Sequence, residues 1–227
     1  MVNKVGNPLG RGRRAVDAEL KARRRRDLLA AALRLFERQP YEAITMSAVA
    51  AAAGVAKGTT YLYFPTREAL FLALLAEHYA VWFDALDARL VEGAAAPVAW
   101  AGWAAETLAA RPLFLRLGGL LHVVLEANVP LDDALLFKRT LAARVERSGA
   151  ALERTLKLSA GQGARLLLWL QAVVPSLAQM AAPPPALRQA LCEDAALAAF
   201  QLDFSTELRA LLLAWLQGLA PTKEIKR

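Results

Sequence analysis

The sequence predicts an all-α protein: an N-terminal three-helix unit containing a helix-turn-helix, followed by a larger helical domain. Three observations carry this. Apolar residues recur at three- and four-residue spacing along most of the chain, no stretch alternates as a half-buried strand would, and no Asn-Gly hairpin signal occurs. Nothing repeats at a fixed period, which argues against a solenoid. The 227 residues, 56% apolar and 22% charged, suffice for a packed core in one or two domains.

Residues 1–16 carry Gly6, Pro8, Gly10 and Gly12 among Arg11, Arg13 and Arg14 without apolar periodicity, and read as a flexible basic arm. A first helix is expected from near Asp17 to Arg38, with Leu28, Leu29, Ala32, Leu35 and Phe36 on one face. Thr45 is placed to cap a short helix over Met46 to Ala53, Gly54 supplies a turn with positive φ, and a second short helix runs from about Ala56 to Tyr63. Val49, Leu62 and Phe64 are assigned to the core beneath them. A long helix opens at Arg67, after Pro65, and continues through Leu70, Leu74, Tyr79, Trp82, Phe83, Leu86 and Leu90 to about Gly93.

Further helices are expected over about 97–110, 112–127, 130–157, 160–180, 186–200 and 204–219. Pro97, Pro112, Pro130 and Ser159 mark starts, and Pro183-Pro184-Pro185 marks a break. The domains then divide as a basic arm (1–16), the helix-turn-helix domain (17–66), a regulatory and dimerisation domain (67–220) and a tail (221–227). Residues 166–187 carry no charge and are long enough to raise a membrane span. Gln171, Pro175, Ser176 and Gln179 interrupt them, the stretch ends in the proline triplet, and no second span accompanies it, so no membrane association is expected. The spacing of Leu166, Leu170, Val173, Leu177 and Met180, repeated by Leu208, Leu212, Trp215 and Leu219, reads instead as two helix-packing seams. Such seams serve a partner subunit or an intramolecular core equally well.

The residues around the helix-turn-helix carry a more specific pattern. Leu28-Leu29-x-Ala31-Ala32-x-x-Leu35-Phe36 is followed by Thr45, Ala50, Gly54-Val55, Lys57-Gly58-Thr59, Tyr61, Tyr63-Phe64 and Arg67-Glu68-x-Leu70. Over residues 20–75 this closely resembles the TetR family of bacterial transcriptional regulators. Two positions depart from it. Ala56 stands where the family often has Ser, removing a helix cap worth about 1 kcal/mol, and Gln39-Pro40 replaces the usual Gly after the first helix.

The resemblance implies that the 56–63 helix lies in the major groove of double-stranded DNA, with Lys57, Gly58, Thr59 and Tyr61 toward base edges. Thr45, Ser47, Tyr63 and Arg67 would then fix the register on phosphates. Lys57 is the long donor able to reach guanine O6 or N7, and the Thr59 methyl suits a thymine methyl. Ordinary packing is the competing reading for Tyr61 and Tyr63. The resemblance further implies a palindromic operator, a homodimer built through helices at about 160–180 and 204–219, and a long helix after the head that tilts when a ligand binds.

Charge agrees with a polyanionic partner. The chain carries a net +7; residues 1–70 hold 13 Lys and Arg against 6 Asp and Glu, and the remainder holds 15 of each. The whole excess therefore falls on the DNA-binding segment, where neutralising phosphates supplies sequence-independent affinity. Lys21 and Arg23 to Arg26 could equally form a solvated helix face. The N-terminal arm either reaches phosphates or the minor groove, or is a disordered tail.

Enzymatic chemistry finds little support. Cys192 is a lone cysteine, so neither an internal disulfide nor a multi-cysteine metal cluster is possible. His122 and Glu126 share a helix face but lack a third ligand nearby, and no phosphate loop, nucleophile elbow or zinc motif occurs. No catalytic residue, metal or cofactor is expected. An apolar run behind the N-terminal basic residues is lacking, so no secretory signal is expected and the cytoplasm is the expected location. The larger domain should hold a cavity for a small hydrophobic effector, lined from Trp82, Trp100, Trp103, Phe114, His122, Glu126 and Phe137, since amphipathic aromatics with a few polar groups make typical pockets. A repressor released by that effector is the expected function. An activator or ligand-independent regulator of the same fold, or a helical binding protein or enzyme with only non-specific DNA affinity, are the alternatives.

Overall fold

The computed structural model describes residues 8–91 and 96–219, those before Asp17 as backbone only. It is helical throughout the described residues and divides into two compact units, 1–74 and 75–227, with the division inside one continuous helix. Helix α1 spans Pro8–Arg38. The helix therefore begins well before Asp17, and of the expected flexible arm residues 1–7 lie outside the described residues. The expected tail, 221–227, lies outside them too.

In the first unit, α1 is followed by a single 3-10 turn (Tyr41–Ala43), α2 (Met46–Ala52), α3 (Lys57–Tyr61) and the start of α4 (Arg67–Val91). The α1 face forms as its spacing demands: Leu28, Leu29, Ala32 and Phe36 are buried, with Ile44, Val49, Phe64 and Phe71 completing the core. Phe71 is central, since Phe36 and Tyr41 both meet its ring edge-on, at centroid distances of 5.5 and 4.9 Å. Thr45 caps α2, its hydroxyl accepting from the Ala48 N–H at 3.1 Å. Gly54 takes φ +67°, a conformation that costs any other residue a Cβ clash. Ala56 offers no side-chain cap to α3.

One core assignment is overturned. Leu62 is 78% exposed. With only five residues, α3 cannot present two apolar faces, and its inward position goes to Thr60, fully buried with its hydroxyl donating to the Lys57 carbonyl at 2.7 Å.

The second unit contains the rest of α4, then α5 (Pro97–Ala109), α6 (Pro112–Leu120) and α7 (Glu126–Asn128), joined by a π-helical turn at Leu121–Leu125. After these come α8 (Leu131–Leu156), α9 (Gln162–Ala181), α10 (Pro185–Glu193) and α11 (Phe204–Leu219). Proline opens α5, α6 and α10, where its missing N–H costs nothing. The expected 186–200 helix breaks at Asp194, whose extended backbone ends α10 and whose carboxylate caps a 3-10 segment over Ala195–Phe200. Helices α8 and α9 cross in backbone contact: a Cβ on Gly149 would lie 2.6 Å from the Ala164 nitrogen, so only glycine permits this approach.

The two expected seams turn inward. Leu166, Leu170, Leu177, Leu208, Leu212 and Leu219 are buried within the chain itself, whereas Met180 is 56% exposed. Trp169 and Trp215 meet between α9 and α11 with ring centres 5.4 Å apart and planes tilted by 57°. The uncovered surface of these helices is a different one, including Leu168, Ala172, Ala214 and Gly218. By length and composition α4 and α9 could each cross a membrane; half of α4's most apolar window is buried within the chain, against 28% of α9's.

Candidate functional site

In the first unit, Met46, Val49 and Ala50 of α2 and Thr60 of α3 turn toward the core and leave a largely polar outer surface. Lys57, Gly58 and Tyr61 are exposed on α3, with Thr59 half-buried beside them. Ser47 and Thr45 are exposed at the start of α2, and Tyr63 is half-buried after α3. Nothing lies within 4 Å of a Cβ built on Gly58, so the α3 surface is open there. Lys57 offers a long cationic donor, Tyr61 an amphipathic ring and Ser47 a hydroxyl, the groups that a groove's base edges and phosphates accept.

Arg67 is placed differently from expectation. Its guanidinium stacks 4.1 Å from the Tyr41 ring centre, donates to the carbonyls of Ile44 (3.0 Å) and Tyr41 (3.4 Å), and pairs with Glu68 at 3.1 Å. It ties α4 to the segment before α2 and is not presented as a free phosphate contact. The Tyr41 hydroxyl donates to the same Glu68 oxygen at 2.7 Å. Burial works against the Glu68 carboxylate, but the hydrogen bonds from Tyr41 and Arg67 outweigh it and hold its pKa below the ordinary value. Burial and that carboxylate push the Tyr41 phenol upward. Two further basic residues are partly engaged, Arg25 over the Phe64 ring at 5.2 Å and Arg34 on the Ala52 carbonyl at 3.2 Å. Lys21, Arg23, Arg24 and Arg26 are exposed along α1.

The second unit encloses an apolar cavity of about 40 Å³. Tyr79, Trp82 and Phe83 of α4 form one wall and Phe114, Leu115 and Gly118 of α6 another; Leu141 and Val145 of α8 and Leu167, Leu170, Gln171 and Pro175 of α9 close it. Of the expected lining residues, Trp82 and Phe114 are here. Trp100 is fully buried elsewhere in the core, and Trp103 borders a separate open groove with Arg89, Glu106 and Arg209. Phe137 is buried behind Tyr79, at a ring distance of 6.1 Å, without reaching the cavity. His122 Nδ1 lies 3.0 Å from Glu126, whose other oxygen lies 2.6 Å from Lys138; this ion-paired group stands outside the lining. Among the described residues no cluster of three metal-ligating side chains occurs.

Two features of the cavity were invisible to spacing. Gly118 faces Pro175 so closely that a Cβ there would lie 3.1 Å from the proline ring. Burial raises the Tyr79 phenol, with Glu126 adding to the shift, so it stays protonated. Around the cavity, α4 is fastened to α8: Arg144 pairs with Asp84 at 2.7 Å, and Asp87 accepts from Arg147 and from the buried Ser148.

An open, polar and basic α3 behind a capped α2 defines a helix-turn-helix head of the DNA-binding kind. The chain belongs to the TetR family of bacterial regulatory proteins. The family's N-terminal profile, "Bacterial regulatory proteins, tetR family", matches residues 28–74, and "Tetracyclin repressor-like, C-terminal domain" matches residues 76–223. The HTH-type transcriptional regulator RutR of Escherichia coli (strain K12) is 35% identical over 79 residues, 35% of each chain. The HTH-type transcriptional repressor KstR of Rhodococcus jostii (strain RHA1) is 42% identical over 66 residues, 29% of each. The chain thus matches about a third of the length of these curated relatives. Among solved structures, Thermus thermophilus FadR, a TetR-family transcriptional repressor in complex with lauroyl-CoA, superposes with a TM-score of 0.60 at 18% identity, over 89% of this chain and 98% of that one. A TetR regulator from Rhodococcus sp. RHA1 gives 0.54 at 19%, over 89% and 99%. At these identities the likeness is one of fold.

Proposed function

We propose that the protein is a sequence-specific transcriptional repressor of the bacterial cytoplasm that binds a palindromic operator as a homodimer and is released by a small apolar effector. The observation that carries the DNA-binding reading is the α3 surface, where Lys57, Gly58 and Tyr61 face solvent while Val49, Thr60 and Phe64 are held in the core. Lys57 and Tyr61 read base edges, Ser47, Thr45 and Tyr63 position the head on phosphates, and the exposed α1 cations add non-specific attraction. Repression is supported by KstR, named a repressor, and an effector by the apolar cavity together with FadR, whose fold holds an acyl-CoA.

Dimerisation is supported by α9, whose apolar surface the chain itself covers poorly. An exposed apolar face of this kind calls for a partner, and a second copy supplies it by symmetry. Two heads about 34–36 Å apart meet successive major grooves. The test is selection of bound duplexes from a random DNA pool at roughly physiological salt. A palindromic consensus supports the proposal; recovery of no consensus, with binding that fades evenly as salt rises, would leave a non-specific polyanion binder.

A further inference from the structure

The outward face of α3 is built around two residues whose identity the fold does not require. Thr60 is the residue α3 buries, and Gly58 and Leu62 each stand two positions from it, about 200° round the helix. Leu62 closes α3 with helical backbone angles, φ −73° and ψ −19°, so it still follows that turn. Both residues therefore point away from the core, and at four residues apart they lie side by side. Thr59, one position from Thr60, is half-buried on the flank.

Leu62 is 78% exposed, more than any other large apolar residue of the first unit among the described residues. A lone leucine on a surface is ordinary, but the glycine beside it is not. Gly58 lies within α3 without a positive φ, and a Cβ built there meets nothing within 4 Å. Alanine would fit and would favour the helix. Folding thus gives no reason for glycine at this position, whereas close approach of another molecule to the backbone does. The surrounding charge selects a polyanion as that molecule: Lys57 is exposed next to Gly58, and residues 1–70 hold 13 Lys and Arg against 6 Asp and Glu. The apolar group that base edges show in the major groove is the thymine 5-methyl.

We infer that Leu62 is a specificity-determining contact: Gly58 lets the α3 backbone come close to the base edges, and the Leu62 side chain packs against the 5-methyl of a thymine in each half of the binding site. The inference rests on reading α3 as the recognition helix and adds the contact by which that helix tells thymine from cytosine. It moves the methyl contact from Thr59, held on the flank, to the residue that projects farthest from the core face.

Deoxyuridine keeps every hydrogen-bonding edge of thymidine and lacks only the methyl. The duplex selected from the random pool is remade with each thymine in turn replaced by deoxyuridine, in both half-sites together, and the affinities of the full chain and of its Leu62→Ala variant are measured at fixed salt. At one thymine position the wild type should lose about fourfold per methyl, the worth of one buried carbon, and Leu62→Ala should lose nothing there. At the other thymines both proteins should respond alike. Gly58→Ala should unfold at the wild-type temperature or higher, yet bind the selected duplex at least about tenfold more weakly, the loss of one base-edge contact. A consensus without thymine, methyl removal felt equally by wild type and Leu62→Ala at every position, complete loss of binding in Leu62→Ala, or Gly58→Ala binding like wild type would each overturn the inference and leave the regulator reading intact. If the pool yields no consensus, the regulator reading itself falls and takes this inference with it.

Discussion

Arg67 and Glu68 show how adjacent residues can serve the fold and the function in ways that spacing does not separate. An arginine at the start of a helix beside a DNA-reading segment is a natural phosphate ligand, the role its position in the sequence predicts. Its guanidinium instead joins the neighbouring Glu68 and, over 23 to 26 residues of chain, the carbonyls of Ile44 and Tyr41. Such partners are supplied by folding and leave no local signal. Two outcomes follow. Tyr41→Phe should destabilise the first unit by about 1.5–3 kcal/mol, the range for a bond to a charged group, measured by urea unfolding. A carboxyl whose folded pKa lies below its unfolded value stabilises the fold at pH above that unfolded value, and the contribution is lost as pH falls through the folded one. Glu68 is such a group. Stability should therefore drop as pH falls below the ordinary carboxylate range, and Glu68→Gln should flatten that drop; an unchanged profile in the variant would remove Glu68 from the account.

Single elements were readable where the signal is local. The Thr45 cap, the positive φ at Gly54 and the prolines opening α5 and α6 are short-range chemistry, and they appear where the sequence put them. The buried face of α1 is likewise a matter of period. Leu62 departs from the core assignment because five residues are too few to define a face, and the spacing along α9 and α11 marks packing surfaces without revealing what they pack against. The cavity was half legible. Trp82 and Phe114 announce themselves by size, whereas Gly118, Gln171 and Pro175 matter only because α4, α6, α8 and α9 converge. In the sequence Pro175 reads as a mere interruption. The α8–α9 crossing carries its own prediction: Gly149→Ala drives a Cβ into the Ala164 backbone, which no side-chain rotation relieves, so a loss of about 1–3 kcal/mol or more is expected on thermal unfolding. A stability equal to wild type would show that the two helices can part freely.

For the whole molecule, the charge asymmetry, the exposed α9 face and the α3 surface support the proposal of a dimer that reads DNA. Leu168 is 52% exposed on α9, and Leu168→Glu should convert the dimer to monomer in sedimentation analysis while leaving the helical content unchanged. A dimer that persists would place the interface elsewhere. The central claim is that α3 reads sequence, and it is tested most directly by measuring binding to the selected duplex for wild type, Lys57→Ala and Tyr61→Ala at fixed salt. Each variant should keep its fold and its dimer. Each should also lose roughly 1–3 kcal/mol of specific affinity, the worth of one base-edge contact, with binding to random duplex much less affected. Wild-type affinity for the selected duplex in both variants would contradict the assignment of α3 as the recognition helix.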